Sequence, residues 1–80
     1  MVEEHKVSVY STDWCPWCHR AKDFLKKHHI PFQDKDVEMN PNYAEELQAK
    51  SHQTSIPVID IDGQIIIGFN EPAIRKALGI

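Results

Sequence analysis

Cysteine, glycine and long apolar runs are all scarce in this chain, and each scarcity excludes a class of protein. Two cysteines in eighty residues are too few for the disulfide framework of a small secreted domain. The longest apolar run is Ile65-Ile66-Ile67, far short of the roughly 20 residues that cross a bilayer. There is no cationic excess either. The net charge is −3 and the isoelectric point lies near 5.9, which argues against nucleic acid or an anionic membrane as partner. No repeat, low-complexity tract or linker interrupts the sequence, so residues 1–80 are expected to form one domain. The opening "MVEEHK" lacks the basic-then-apolar pattern of a signal peptide. That points to the cytoplasm, where a disulfide is transient rather than structural. What is present is ordinary: 41% hydrophobic and 26% charged residues, with a surface that suits a monomer. A chain this short buries only about 60–65% of its unfolded surface, so its core must be economical.

The order of elements can be read from periodicity and punctuation. "HKVSVYS" alternates Val7 and Val9 against Ser8 and Tyr10, the period of a strand. A helix opens at Pro16, because a first-turn proline gives up an N–H that has no partner there anyway. Trp17, Ala21, Phe24, Leu25 and His28 recur at helical spacing and define its apolar face, and Ile30-Pro31 stops it. "PFQDKDV" follows as a short polar strand suited to a sheet edge. Asn40 and Pro41 open a second helix, with Tyr43, Ala44 and Leu47 expected inward. Asp62-Gly63 between two alternating apolar runs signals a hairpin. A last helix begins near Pro72, capped by Asn70 or Glu71, turns Ile74, Ala77 and Leu78 inward, and ends at Gly79. The resulting order, βαβαββα, predicts an α/β fold with a mixed four-stranded sheet and helices on its faces. Tyr10, Phe24, Leu47, Val58 and Ile74 are expected in the core, and the five histidines in solvent.

Both cysteines fall in "STDWCPWCHRAK". Cys15 ends the strand-to-helix loop and Cys18 lies in the first turn, three residues on and so on the same face. Unpaired backbone N–H groups and the positive end of the helix dipole gather at Cys15, a setting that favours thiolate over thiol. Arg20 and Lys22 add positive charge nearby, whereas Asp13 opposes them. An exposed thiolate beside a sheltered thiol is what thiol–disulfide exchange requires. Two other readings compete. A zinc or iron–sulfur site wants four protein ligands, and the scattered imidazoles after the pair match no metal spacing. Two inert buried cysteines are the remaining alternative.

"CPWCHRAK" resembles the active-site stretch of dithiol glutaredoxins, and "SIPVIDIDGQIIIGF" is similar to the segment that carries their conserved-pattern proline and the hairpin after it. The likeness runs along nearly the whole chain. It implies a thioredoxin fold with sheet order 2-1-3-4, Cys15 as nucleophile and Cys18 as resolving thiol, and no bound cofactor. It also implies a cis proline at Pro57, packed opposite the cysteines, with the Ile56 backbone offered to an extended substrate. An ordinary X-Pro bond would be trans. Pro16, Trp14, Trp17 and Phe69 would form an apolar rim that grips disulfide-containing protein substrates, although tryptophan and phenylalanine serve as plain core filling just as often.

The electron donor is the open point, since the resemblance allows either glutathione or a flavoprotein dithiol reductase. Glutathione-using relatives often place a lysine three residues before the first cysteine, where this chain has Thr12. Their Gly-Gly after the hairpin is Ile67-Gly68 here, and their acidic pair becomes Asn70-Glu71. Gln53 remains as an uncharged donor to a ligand carboxylate. "GFNEP" looks more like the glutaredoxin-like hydrogen donors that a flavoprotein recycles. A module of the same fold that binds a metal without turnover, or an oxidase or isomerase, would be the functional alternatives.

Overall fold

The computed structural model describes residues 5–80. The expectation drawn from the opening residues falls largely on 1–4, outside the described part. The elements in chain order are β1 (Val7–Ser11), α1 (Pro16–Lys27), β2 (Gln33–Asp36), α2 (Pro41–Ser51), β3 (Val58–Ile61), β4 (Gln64–Ile67) and α3 (Glu71–Leu78). The sheet is ordered β2-β1-β3-β4. β1 runs parallel to β2 and antiparallel to β3, which pairs antiparallel with β4. This is the thioredoxin fold, in the order the sequence predicted.

Local chemistry explains most of the boundaries. Asn40 Oδ1 accepts from the Asn42 N–H at 3.0 Å, and Asn70 Oδ1 accepts from the Ala73 N–H at 3.3 Å, so each asparagine caps its helix. α1 ends earlier than the proline signal implied. His29 takes a left-handed φ of 57°, its N–H reaching Lys26 O and the Ile30 N–H reaching Leu25 O, which closes the helix before Pro31 is met. In the hairpin, Asp62 (φ 53°) and Gly63 (φ 92°) form the two-residue turn whose twist matches the strands. The Asp62 carboxylate also accepts from the Lys6 N–H at 2.8 Å and pairs with His5, fastening the hairpin to the start of β1.

The two faces of the sheet bury different sets. Val7, Val9, Ile59, Ile61 and Ile66 meet Ala21, Phe24 and Leu25 of α1 and Ile74 and Leu78 of α3. On the other face Tyr10 and Val58 meet Leu47 of α2. Three expectations need correction. Trp17 is exposed although it shares the side of α1 that carries Ala21 and Phe24, because it lies in the first turn, where it borders the groove beside Ile56 and Pro57 instead of the core. Ala44 is exposed, since α2 leans on the sheet through Leu47 and the half-buried Tyr43 alone. His28 is half-buried rather than solvated, its ring 4.5 Å from that of Phe24.

Candidate active site

β1 ends at Ser11 and the chain climbs through Thr12, Asp13 and Trp14 to the first turn of α1. Cys15 is the N-cap, with extended backbone angles (φ −85°, ψ 114°), and its Sγ accepts from the Cys18 N–H at 3.2 Å. A sulfur thus fills the place that a serine or aspartate oxygen takes at an ordinary cap. Pro16 follows at the first helical position. Both thiols are free. Cys15 is only 5% exposed, against the expectation of an open thiol, because the capping bond folds its sulfur over the helix end. Cys18 is fully buried. Burial first, then hydrogen bonding to Cys15, pushes the Cys18 thiol up to about 12, and the Thr12 backbone and Lys22 pull the other way.

Beside this turn lies a groove of about 310 Å³ lined by Trp17, Ile56, Pro57, Gly68 and Phe69. The sheet register explains how such distant residues meet. Tyr10 pairs with Val58 and Val58 with Ile67, so Pro57 comes to the end of β1 and Gly68 beside Pro57, its N–H reaching Pro57 O at 2.8 Å. The Ile56–Pro57 bond is cis, as the resemblance implied. Trp17 is 54% exposed, and the Arg20 guanidinium lies 4.6 Å over its ring. Phe69 is both rim and core: it lines the groove and packs edge-on to Phe24 with centroids 5.9 Å apart.

Five of the singled-out residues do not line that groove, among them the exposed Pro16. Trp14 is 67% exposed and its Nε1 donates to Glu38 at 2.6 Å, on the side of the β2–α2 connection. Gln53 folds its amide into its own loop: Nε2 donates to Ser51 Oγ and Ser55 O, and Oε1 accepts from the Ser55 N–H. Asn70 has its carbonyl oxygen engaged as the cap of α3, and Glu71 Oε1 lies 3.9 Å from Arg75 Nη2. The structure also gives partners and surroundings to three residues beside the pair. His19 Nε2 meets Asp13 O at 2.5 Å and so ties the loop to the helix. The Thr12 hydroxyl is buried with no hydrogen-bond partner among the described residues. Lys22, one of the two positive charges near the pair, is buried between α1 and the sheet and paired with Asp34 at 3.0 Å. Its spacing of four from Cys18 was the available signal. Among the described residues no group of three or more His, Cys, Asp or Glu is placed to hold a metal ion.

A Cys-x-x-Cys turn at a helix start, facing a cis proline across a mixed sheet, invites comparison with known redox proteins. A sequence model of the glutaredoxin family matches residues 7–66. The chain belongs to the glutaredoxin family. It is 43% identical over 72 residues to a glutaredoxin-like 8.6 kDa protein from a rubredoxin operon of Clostridium pasteurianum, covering 90% of this chain and 96% of that one. Glutaredoxin 3 of Escherichia coli K12 is 37% identical over 65 residues, covering 81% of this chain and 78% of its own. Among solved structures, the thioredoxin-like protein BC3987 superposes with a TM-score of 0.86 at 29% identity, over 91% of this chain and 100% of that one. Redox chemistry on thiols follows from membership of this family. Among the described residues no helix is long and apolar enough to cross a membrane.

Proposed function

We propose that this glutaredoxin is a dithiol disulfide reductase that works through Cys15 and Cys18 and draws its electrons from a flavoprotein dithiol reductase. The observation that carries the dithiol reading is the cap itself: Cys15 Sγ receives the Cys18 N–H, so charge on that sulfur is met by a backbone donor and by the helix dipole. The Cys15 thiolate attacks one sulfur of a substrate disulfide, forming a mixed disulfide and releasing the other sulfur as a thiolate. Cys18 then loses its proton, its sulfur bonds to Cys15 Sγ, and the remaining substrate sulfur leaves with the electron pair. Two electrons have passed to the substrate, and the Cys15–Cys18 disulfide awaits an external dithiol. Cys18 stays protonated at neutral pH, since burial and then its hydrogen bond with Cys15 hold its thiol up at about 12, and charge on Cys15 acts in the same direction. Conversion of Cys15 to a mixed disulfide removes that charge and eases the second step. Trp17, Phe69 and the Ile56–Pro57 segment offer an apolar groove for the polypeptide around the substrate disulfide.

The choice of electron donor rests on what a glutathione site would need. Glutathione is an anionic tripeptide whose carboxylates call for cations or free donors. Here Thr12 stands in place of a lysine, the Gln53 amide is engaged within its loop, and the Asn70 oxygen caps α3. Losing one charge-assisted contact costs about 1.5–3 kcal/mol, or roughly ten- to a hundredfold in affinity.

The test is a coupled NADPH assay on a protein disulfide, comparing a thioredoxin-reductase-type flavoprotein with glutathione plus glutathione reductase. Faster recycling by the flavoprotein is expected, with Cys15→Ser inactive and Cys18→Ser trapped as mixed disulfides. Turnover with glutathione at the efficiency of an ordinary glutaredoxin would overturn the donor assignment, and full activity of Cys15→Ser would overturn the mechanism.

A further inference from the structure

Among the described residues Lys22 is the charged residue that the fold buries, at 8% exposure. It lies one helical turn beyond Cys18 on the same side of α1. Its Nζ donates to Asp34 Oδ2 at 3.0 Å, and Asp34 Oδ1 accepts from Ser11 Oγ at 2.8 Å. Asp34 sits on β2 opposite Val9, and Ser11 is the last residue of β1. An ammonium is therefore fixed beneath the active-site turn by two strands of the sheet. Helix stability does not call for it there, because Lys26 and Lys27 already complement the dipole in the last turn of α1. Burying an ammonium costs free energy, and a half-exposed partner such as Asp34 returns little of it.

The cation does have a task in the resolving step, where negative charge must develop on a fully buried sulfur. Cys18 gives its N–H to Cys15 Sγ at 3.2 Å, and Lys22 stands one turn on along the same buried side of α1. His19 and Arg20, the other basic residues of that stretch, are turned to the Asp13 carbonyl and the Trp17 ring. We infer that Lys22 is a positioning residue for resolution, its charge stabilising Cys18 Sγ as that sulfur attacks Cys15 Sγ, with Asp34 moderating the field of the ammonium. The inference rests on the dithiol reading above. In that step the Cys18 proton goes to solvent, the new bond joins the two cysteine sulfurs, and the substrate sulfur leaves as thiolate.

Stopped-flow mixing of the reduced protein with a deficit of an aromatic disulfide that releases thionitrobenzoate separates the two steps. The first release reports attack by Cys15, and the second, independent of reagent concentration, reports resolution by Cys18. In Lys22→Met the first release should keep its rate while the second slows about threefold at neutral pH. A tenfold loss of thiolate, for one pH unit, is partly offset by the greater nucleophilicity of the more basic sulfur. Lys22→Arg should restore the second phase. Asp34→Asn should accelerate it, because the ammonium then acts uncompensated, and this variant decides by sign alone should Lys22→Met fail to fold. A second phase at the wild-type rate in Lys22→Met, or an Asp34→Asn variant as slow as a broken brace would make it, would overturn the inference. A wild-type protein with no concentration-independent second release would instead overturn the dithiol reading itself.

Discussion

Among the described residues, ten are buried in one apolar cluster under α1 and α3, while Tyr10, Leu47 and Val58 are those buried in the cluster under α2. The second face is completed by charge. Tyr10 Oη and Lys35 Nζ both donate to Glu46 Oε1 at 3.0 Å, and Lys50 Nζ donates to Asp60 at 2.7 Å. Lys35 also lies over the rings of Tyr10 and Tyr43, at 5.3 and 5.5 Å, and Lys50 lies 5.6 Å over Tyr10. Lysine stems cover apolar surface while their heads reach water or a carboxylate, so a short chain can close a second face without a second full core. The difference matters for the site. The helix that opens at Cys15 is anchored chiefly by apolar contacts, with the single Lys22–Asp34 pair beside them, whereas charge supplies most of the hold on the face across the sheet.

Removing apolar volume from each face measures the contrast directly. Leu25→Ala, on the α1 side, should cost about 3 kcal/mol, because Leu25 is fully buried among neighbours that cannot close the gap. For a domain of this size that lowers the midpoint of a circular-dichroism melt by roughly 12–24 °C. Leu47→Ala should cost less, about 2 kcal/mol, as half-buried Val37, Tyr43, Ile56 and Ile65 around it have room to adjust. Equal losses at the two positions in urea titrations would break the comparison.

The polar contribution is smaller and should respond to ions. Glu46→Gln is expected to destabilise by about 0.5–1 kcal/mol in dilute buffer, an exposed-pair value. Most of that difference should vanish in about 1 M salt, where charges are screened within a few ångströms. Leu25→Ala should show no such recovery, and a salt-independent Glu46→Gln effect would place the role of Glu46 in packing instead. The smallest effect is on acid stability. Hydrogen bonds from Lys35 and then Tyr10 hold the Glu46 carboxyl below its ordinary 4.5. A lowered folded-state value means stability that is present above about 4.5 and lost as pH falls through the folded value. Unfolding free energy should therefore drop less steeply in Glu46→Gln than in the parent between about pH 5 and 3. Parallel curves would remove Glu46 from the account of that face.

The resolved elements show why some features were legible in the sequence and others were not. Proline at the head of each helix, asparagine at two caps, and Asp62-Gly63 in the hairpin act through backbone angles and nearest N–H groups, so a few residues of sequence suffice to read them. The Cys-x-x-Cys turn is local in the same sense: three residues at a helix start bring the Cys18 N–H to the Cys15 sulfur. From these alone the order of elements and the placement of the two cysteines at the start of α1 follow.

Everything that depended on a partner far along the chain was decided by the tertiary structure. Spacing places Trp17 on the apolar face of α1, but its position in the first turn leaves it over the groove that Ile56 and Phe69 complete. Gln53 was read as a free donor until its loop claimed the amide, and Cys15 as open until its sulfur became the cap. Lys22 shows the division most clearly. Its place four residues after Cys18 is written in the sequence, but its burial exists only because β2 lies parallel to β1 and brings Asp34 beneath the helix. Backbone preferences act over a turn or two and are encoded where they act, whereas burial and charge pairing arise between strands that meet only when the sheet closes.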